Sequence, residues 1–115
     1  MTVTVVDDDE DLLEFLRALL AARHEVRVFA TGRSAVEALR DGLSDVVLSD
    51  LGLLDLPGEE VARMAARLDP RPWVVLMSGD PRRLQRARPL ADATLLKPFS
   101  IKDLVSACET ERETR

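Results

Sequence analysis

Four places in the 115-residue chain carry side chains that could act together: the acidic run Asp7-Asp8-Asp9-Glu10-Asp11, the isolated Asp50, the pair Ser78-Gly79, and Lys97 before Pro98. Each follows an apolar run that reads as a strand, and in an open parallel sheet the carboxyl ends of the strands share one edge, where ligands bind. Carboxylates from Asp7, Asp8 and Asp50 meeting at that edge repel one another unless a cation intervenes. An all-oxygen donor set suits Mg²⁺, which keeps several waters and takes few carboxylates. Lys97 would add a point positive charge and Ser78 a hydroxyl donor. Together they match the needs of a phosphoryl group, whose charge spreads over its equatorial oxygens during transfer. Asp50 is the expected nucleophile, as carboxylates are in aspartyl-phosphate chemistry.

The elements that must position these groups are legible from pattern. Thr2 to Val6 is β-branched and reads as a first strand. From about Glu10 to Ala22, Leu12, Leu13, Phe15, Leu16, Leu19 and Leu20 recur at helical spacing, with Asp8 or Asp9 as N-cap and acids suiting the first turn. Val26 to Phe29 alternates, which suggests an exposed edge strand. Ser34 and Glu37 have the spacing of a capping box for a second helix, and Asp41-Gly42 would end it. Val46-Val47-Leu48 does not alternate and reads as a strand covered on both faces, ending in Asp50. Pro57 suits the first turn of a helix through Val61, Met64, Ala65 and Leu68. Trp73 to Met77 is a second continuous apolar run, with Trp73 and Met77 as core residues. A short basic helix between Asp80 and Leu90 precedes a fifth strand, Ala93 to Leu96. Ser100 caps a last helix with Ile101, Leu104, Val105 and Cys108 facing inward. Strands alternating with helices predict an α/β, three-layer sandwich: a parallel sheet with helices on both faces. Sequence order alone leaves the strand order open.

Composition bounds the function. A length of 115 residues fits a single domain, 1–115. The formal net charge of -5 argues against nucleic-acid binding by the whole domain. A lone cysteine, Cys108, forms no internal disulfide, and without a signal segment the expected location is cytoplasmic. No apolar run reaches the roughly 18 residues a bilayer span needs, so no membrane contact is expected. His24, in the Arg23-His24-Glu25 connection, reads as a solvated loop residue. Arg82, Arg83, Arg86 and Arg88 lack interleaved aromatics and read as the wet side of a surface helix.

Taken in order, Val5-Val6-Asp7-Asp8-Asp9-Glu10, Asp50-Leu51-Gly52-Leu53 with Gly58 downstream, Ser78-Gly79 and Lys97-Pro98-Phe99 form a set that resembles the response-regulator receiver domain of bacterial two-component signalling, over nearly the whole chain. The resemblance implies a flavodoxin-like fold with five strands in the order 2-1-3-4-5 and five helices. It implies that Asp50 accepts a phosphoryl group from a sensor histidine kinase or a phosphotransfer protein. In its terms Asp8 ligates Mg²⁺, Asp7 supports the ion largely through water, Asp50 gives an oxygen and Gly52 its main-chain carbonyl. Lys97 pairs with phosphoryl oxygens, Ser78 hydrogen-bonds one, Gly79 keeps the approach open, and the Lys97-Pro98 bond is cis. The domain is then a phosphoacceptor with only self-catalysed phosphoryl uptake and hydrolysis, within a phosphorelay or with contact output to an unidentified downstream protein. No direct DNA binding is expected, since no helix-turn-helix follows the final helix.

The sequence also departs from the resemblance. Thr94 stands at the switch position, three before the lysine, where receivers usually carry Tyr or Phe. The segment from Ser78 to Lys97 is short, which predicts a truncated or irregular fourth helix. Leu54 replaces a common proline. Two further readings compete: a pseudo-receiver that signals by protein contact without phosphorylation, and a small Mg²⁺-dependent phosphohydrolase. The second lacks an acid near the nucleophile, because that position is Gly52.

Overall fold

The computed structural model describes residues 1–113. Strands form where the apolar runs stand: β1 (Thr2–Val6), β2 (Glu25–Phe29), β3 (Val46–Asp50), β4 (Trp73–Ser78) and β5 (Ala93–Leu96). They make one sheet in the order β2-β1-β3-β4-β5, with every pair parallel. β3 and β4 are buried along their whole length, while β2 at the edge is only half-buried, as its alternation predicts.

Successive strand residues serve opposite faces. Val3, Val5, Val46, Leu48, Val75 and Met77 pack against Leu13, Leu16 and Leu20 of α1 (Glu10–Ala21) and against Leu104 and Cys108. Val6, Val47, Val74 and Leu76 pack against Ala35 and Leu39 of α2 (Gly32–Leu39), Val61 and Ala65 of α3 (Gly58–Ala65), and Leu84 of α4 (Pro81–Ala87). The result is a three-layer sandwich with α1 and the last helix, α5 (Ile101–Val105), on one side and α2, α3 and α4 on the other. Residues Ile101–Val105 open α5, which continues through a wide π turn, Ser106–Thr110, to Glu111–Glu113. Trp73 closes against that turn, its indole N–H donating to the carbonyl of Ala107 at 2.8 Å. Cys108 is buried, and burial pushes its thiol up to about 12.

Helix starts follow cap chemistry. Asp9 accepts from the N–H groups of Asp11 and Leu12, and Ser100 forms a reciprocal capping box with Asp103. The cap of α2 is Thr31, whose hydroxyl accepts from the Ser34 N–H, rather than Ser34. The Asp55 carboxylate reaches in from the loop after β3 and takes the N–H groups of Gly32 and Arg33, both at 2.9 Å. With Thr31 as cap and Asp55 holding the N–H groups of Gly32 and Arg33, the first free donors of a helix that starts at Gly32 are satisfied, and no Ser34–Glu37 box is needed. Pro57 is the residue before α3 rather than within its first turn, and α3 ends at Ala65, short of Leu68. The fourth helix is short, seven residues followed by a tight turn at Arg88–Leu90.

Three surface expectations need correction. The His24 side chain is 7% exposed and lies against Glu109 at 3.4 Å, because the turn after α1 folds it beneath α5. Phe15 and Ile101 are exposed, so their places in the helical pattern lie outside the contact between helix and sheet. Arg83 is half-buried and belongs to the functional edge described next.

Candidate functional site

The carboxyl ends of β1, β3, β4 and β5 bring the expected residues to one edge. The Asp7 N–H still bonds to Phe29 of β2, so the backbone is fixed as the strand ends. The Asp7 side chain is 1% exposed. One of its oxygens accepts from the Asp9 N–H at 2.9 Å and the other from Lys97 Nζ at 2.7 Å. Lys97 Nζ also lies 3.1 Å from Asp50 Oδ1 and so joins the ends of β1 and β3. A backbone bond from the Lys97 N–H to the Ser78 carbonyl, 2.8 Å, ties its base to the end of β4. The peptide bond between Lys97 and Pro98 is cis.

Charge at this edge is unbalanced. One carboxylate oxygen from each of Asp7, Asp8 and Asp50 lies within 4.8 Å of the others, against the single ammonium of Lys97. Burial raises the Asp50 carboxyl above the usual carboxylate range, and the Asp7 charge adds to this, with Lys97 opposing. Burial would lower the Lys97 ammonium, but its bonds to Asp7 and Asp50 outweigh it and hold it above its ordinary value. This donor set, all oxygen and short of positive charge, fits a small divalent cation such as Mg²⁺. Among the described residues, no other three such ligands come together.

The remaining residues frame the opening. Ser78 is buried, and its Oγ accepts from the Asp80 N–H at 3.0 Å; Asp80 then caps α4 through the N–H groups of Arg82 and Arg83. A Cβ at Gly79 would meet nothing within 4 Å, so that wall is open. Gly58 differs: a Cβ there would stand 2.1 Å from the Asp50 carbonyl oxygen and 2.7 Å from the Leu51 Cα. Only glycine lets α3 begin against the backbone of the loop it must hold. Thr94 lies half-buried on β5, in register with Leu76 of β4.

Sequence reasoning missed Arg83 and Glu59. Arg83 Nη2 donates to the Leu51 carbonyl at 2.7 Å and to Glu59 at 3.0 Å, and Nε donates to Glu59 at 3.3 Å. The spacing of the arginines gave no signal for this, since the contacts span more than twenty residues. The acids in the first turn of α3 and the glycine at 52 are the hints that were present.

Comparison with known proteins agrees with this geometry. A model of the response regulator receiver domain family matches residues 3–109. The response regulator receiver protein CpdR of Brucella abortus is 32% identical over 113 residues, which covers 93% of this chain and 92% of CpdR. The transcriptional regulatory protein CreB of Escherichia coli and the DNA-binding response regulators MtrA are longer, and the chain spans about half of their length. Among solved structures, a BeF3-activated DrrB receiver domain superposes with a TM-score of 0.82 at 29% identity, covering 97% of both chains. The fold is shared with TrrA of Thermotoga maritima, a response regulator in complex with Mg²⁺ and beryllium fluoride. Its TM-score is 0.86 at 21% identity, covering 96% of this chain and 97% of TrrA. No described helix is long and apolar enough to cross a membrane. Receiver domains are signalling domains, and phosphorylation-based signalling is generic to them. With its parallel sheet, its acidic edge and a family match over nearly its whole length, this chain belongs to the response regulator receiver domain family.

Proposed function

We propose that residues 1–115 act as one phosphoacceptor domain in which Asp50 takes a phosphoryl group from the phosphohistidine of a sensor kinase or phosphotransfer protein. An Asp50 carboxylate oxygen bonds to phosphorus as the phosphorus–nitrogen bond breaks, and the imidazole leaves with that electron pair. The single observation that carries this reading is the convergence of Asp7, Asp8 and Asp50 with one ammonium bridging Asp7 and Asp50. Asp7, Asp8, Asp50 and the main-chain carbonyl of Gly52 are the groups that would hold Mg²⁺. When bound, the ion offsets the charge shared by the carboxylates and the phosphoryl oxygens.

The chain's own residues do the rest. Lys97, already centred between Asp7 and Asp50, donates to a phosphoryl oxygen. The Ser78 hydroxyl turns its proton to another, and because Ser78 also receives the Asp80 N–H, this alters the start of α4. Gly79 leaves the approach free. The output surface is then the loop after β4 with α4 and β5, on which Thr94 lies, and the downstream partner is a protein that reads that surface. The test is intact mass after incubation with Mg²⁺ and acetyl phosphate. Wild type gains one labile phosphoryl group, while Asp50→Asn and wild type without divalent cation do not. A folded wild type that gains none refutes the proposal and favours the pseudo-receiver reading.

A further inference from the structure

Arg83 is the arginine of α4 that leaves the solvated face. Arg82 and Arg86 are exposed, whereas Arg83 turns back across the site mouth to Glu59 and the Leu51 carbonyl. Three of its bonds are used there, and Nη1 is not among the donors. That nitrogen lies 4.0 Å from the point where a Cβ on Gly52 would stand, and the same point is 3.4 Å from Asp50 Oδ2. Glycine at 52 therefore leaves a gap bordered on one side by the acceptor carboxylate and on the other by a free edge of a guanidinium. The pairing with Glu59 holds the guanidinium charged, and the nearby Asp50 charge contributes in the same sense.

We propose that Arg83 ties α4 to the acceptor loop and, when Asp50 is phosphorylated, exchanges its Glu59 pair for phosphoryl oxygens. The inference rests on the reading of Asp50 as phosphoacceptor. A phosphoryl group brings about two negative charges and three strong acceptor oxygens, and a guanidinium matches that geometry with two parallel bonds. Glu59 loses one partner in the exchange, but it sits in the first turn of α3, where the helix dipole favours an acid. Because Arg83 grows from α4, moving its head toward Asp50 shifts the helix directly, without a relay through β5. Loss of the Glu59 bonds leaves the Leu51 carbonyl as the pivot, still bonded to the N–H of Gly58.

The experiment compares wild type, Arg83→Ala, Arg83→Lys and Glu59→Gln, each with Mg²⁺ and with or without acetyl phosphate. Intact mass reports phosphoryl uptake, and amide hydrogen exchange reports residues 81–87. In wild type, phosphorylation changes exchange across 81–87 by about tenfold, a coupling of ordinary allosteric size. Intact mass gives the phosphorylated fraction of each variant; within that fraction the change is lost in Arg83→Ala, and Arg83→Lys, a point charge without the fork, keeps only part of it. Glu59→Gln shifts the unphosphorylated pattern toward the phosphorylated one. A merely structural arginine would loosen α4 equally in both states, so an undiminished tenfold change in phosphorylated Arg83→Ala overturns the inference. If wild type gains no phosphoryl group, the acceptor reading fails first and takes this inference with it.

Discussion

Neutralising Asp50 should stabilise the unliganded protein. With carboxylate oxygens within 4.8 Å of one another, and at an effective dielectric constant of about 20, each like-charge pair costs at least about 3.5 kcal/mol. Asp50→Asn removes its repulsion from Asp7 and Asp8, about 7 kcal/mol together, and forgoes about 5 kcal/mol of attraction to Lys97 at 3.1 Å and a weaker, solvent-screened attraction to Arg83. About 1 kcal/mol remains in favour of the variant, and relief of the buried charge acts in the same direction. For a chain of this size that corresponds to about 4 °C in Tm. The pH dependence has a definite sign. The folded Asp50 carboxyl titrates above its unfolded value, so wild type carries no penalty below the unfolded value and loses stability as pH rises through the folded one. Thermal unfolding in chelator should therefore show Asp50→Asn ahead by about 4 °C near pH 7.5, with the gap shrinking toward pH 3.5. Mg²⁺ at about a hundred times its Kd adds about 2.7 kcal/mol to wild type and less to the variant, which has lost a ligand, so the gap closes. A variant less stable than wild type in chelator near pH 7.5, or a gap indifferent to Mg²⁺, would refute the account of charge at this edge.

Other perturbations test single links. Lys97→Ala leaves the 1%-exposed Asp7 without its cation and should cost about 3 kcal/mol in urea unfolding; unchanged stability would mean the bridge contributes nothing. Gly58→Ala forces a Cβ into the Asp50 carbonyl and should cost about 3 kcal/mol or more by the same assay, whereas Gly79→Ala, with open space around it, should cost under about 1 kcal/mol. Cys108, its thiol pushed up to about 12, should react with iodoacetamide about a thousandfold more slowly in the native protein at pH 8 than after unfolding in guanidinium.

The sheet was legible because its physics is local. β3 and β4 are buried on both faces and so read as unbroken apolar runs, and β2 at the edge reads as alternation. The strand order was not local information; it came from the resemblance, and the parallel ladders agree with it. Asp7, Asp8, Asp50, Ser78 and Lys97 could be found because strand ends in a parallel sheet share an edge. What escaped were contacts made by long or tethered side chains across the fold. Asp55 caps α2 from another loop, Glu109 lies over His24, and Arg83 looks like any arginine of a surface helix until Gly52 and Glu59 are seen beside it. The short fourth helix was visible in advance, since the interval between Ser78 and Lys97 leaves little room.

Trapping the acyl phosphate shows which side chain is phosphorylated. After incubation with Mg²⁺ and acetyl phosphate, borohydride reduction converts a phosphorylated aspartate to homoserine. Trypsin then releases residues 41–63, which hold Asp41, Asp45, Asp50 and Asp55 together. Phosphorylation of Asp50 gives homoserine at position 50 and none at the other three, dependent on Mg²⁺. Homoserine at another aspartate, or none anywhere in a folded and Mg²⁺-loaded protein, would contradict Asp50 as the group phosphorylated.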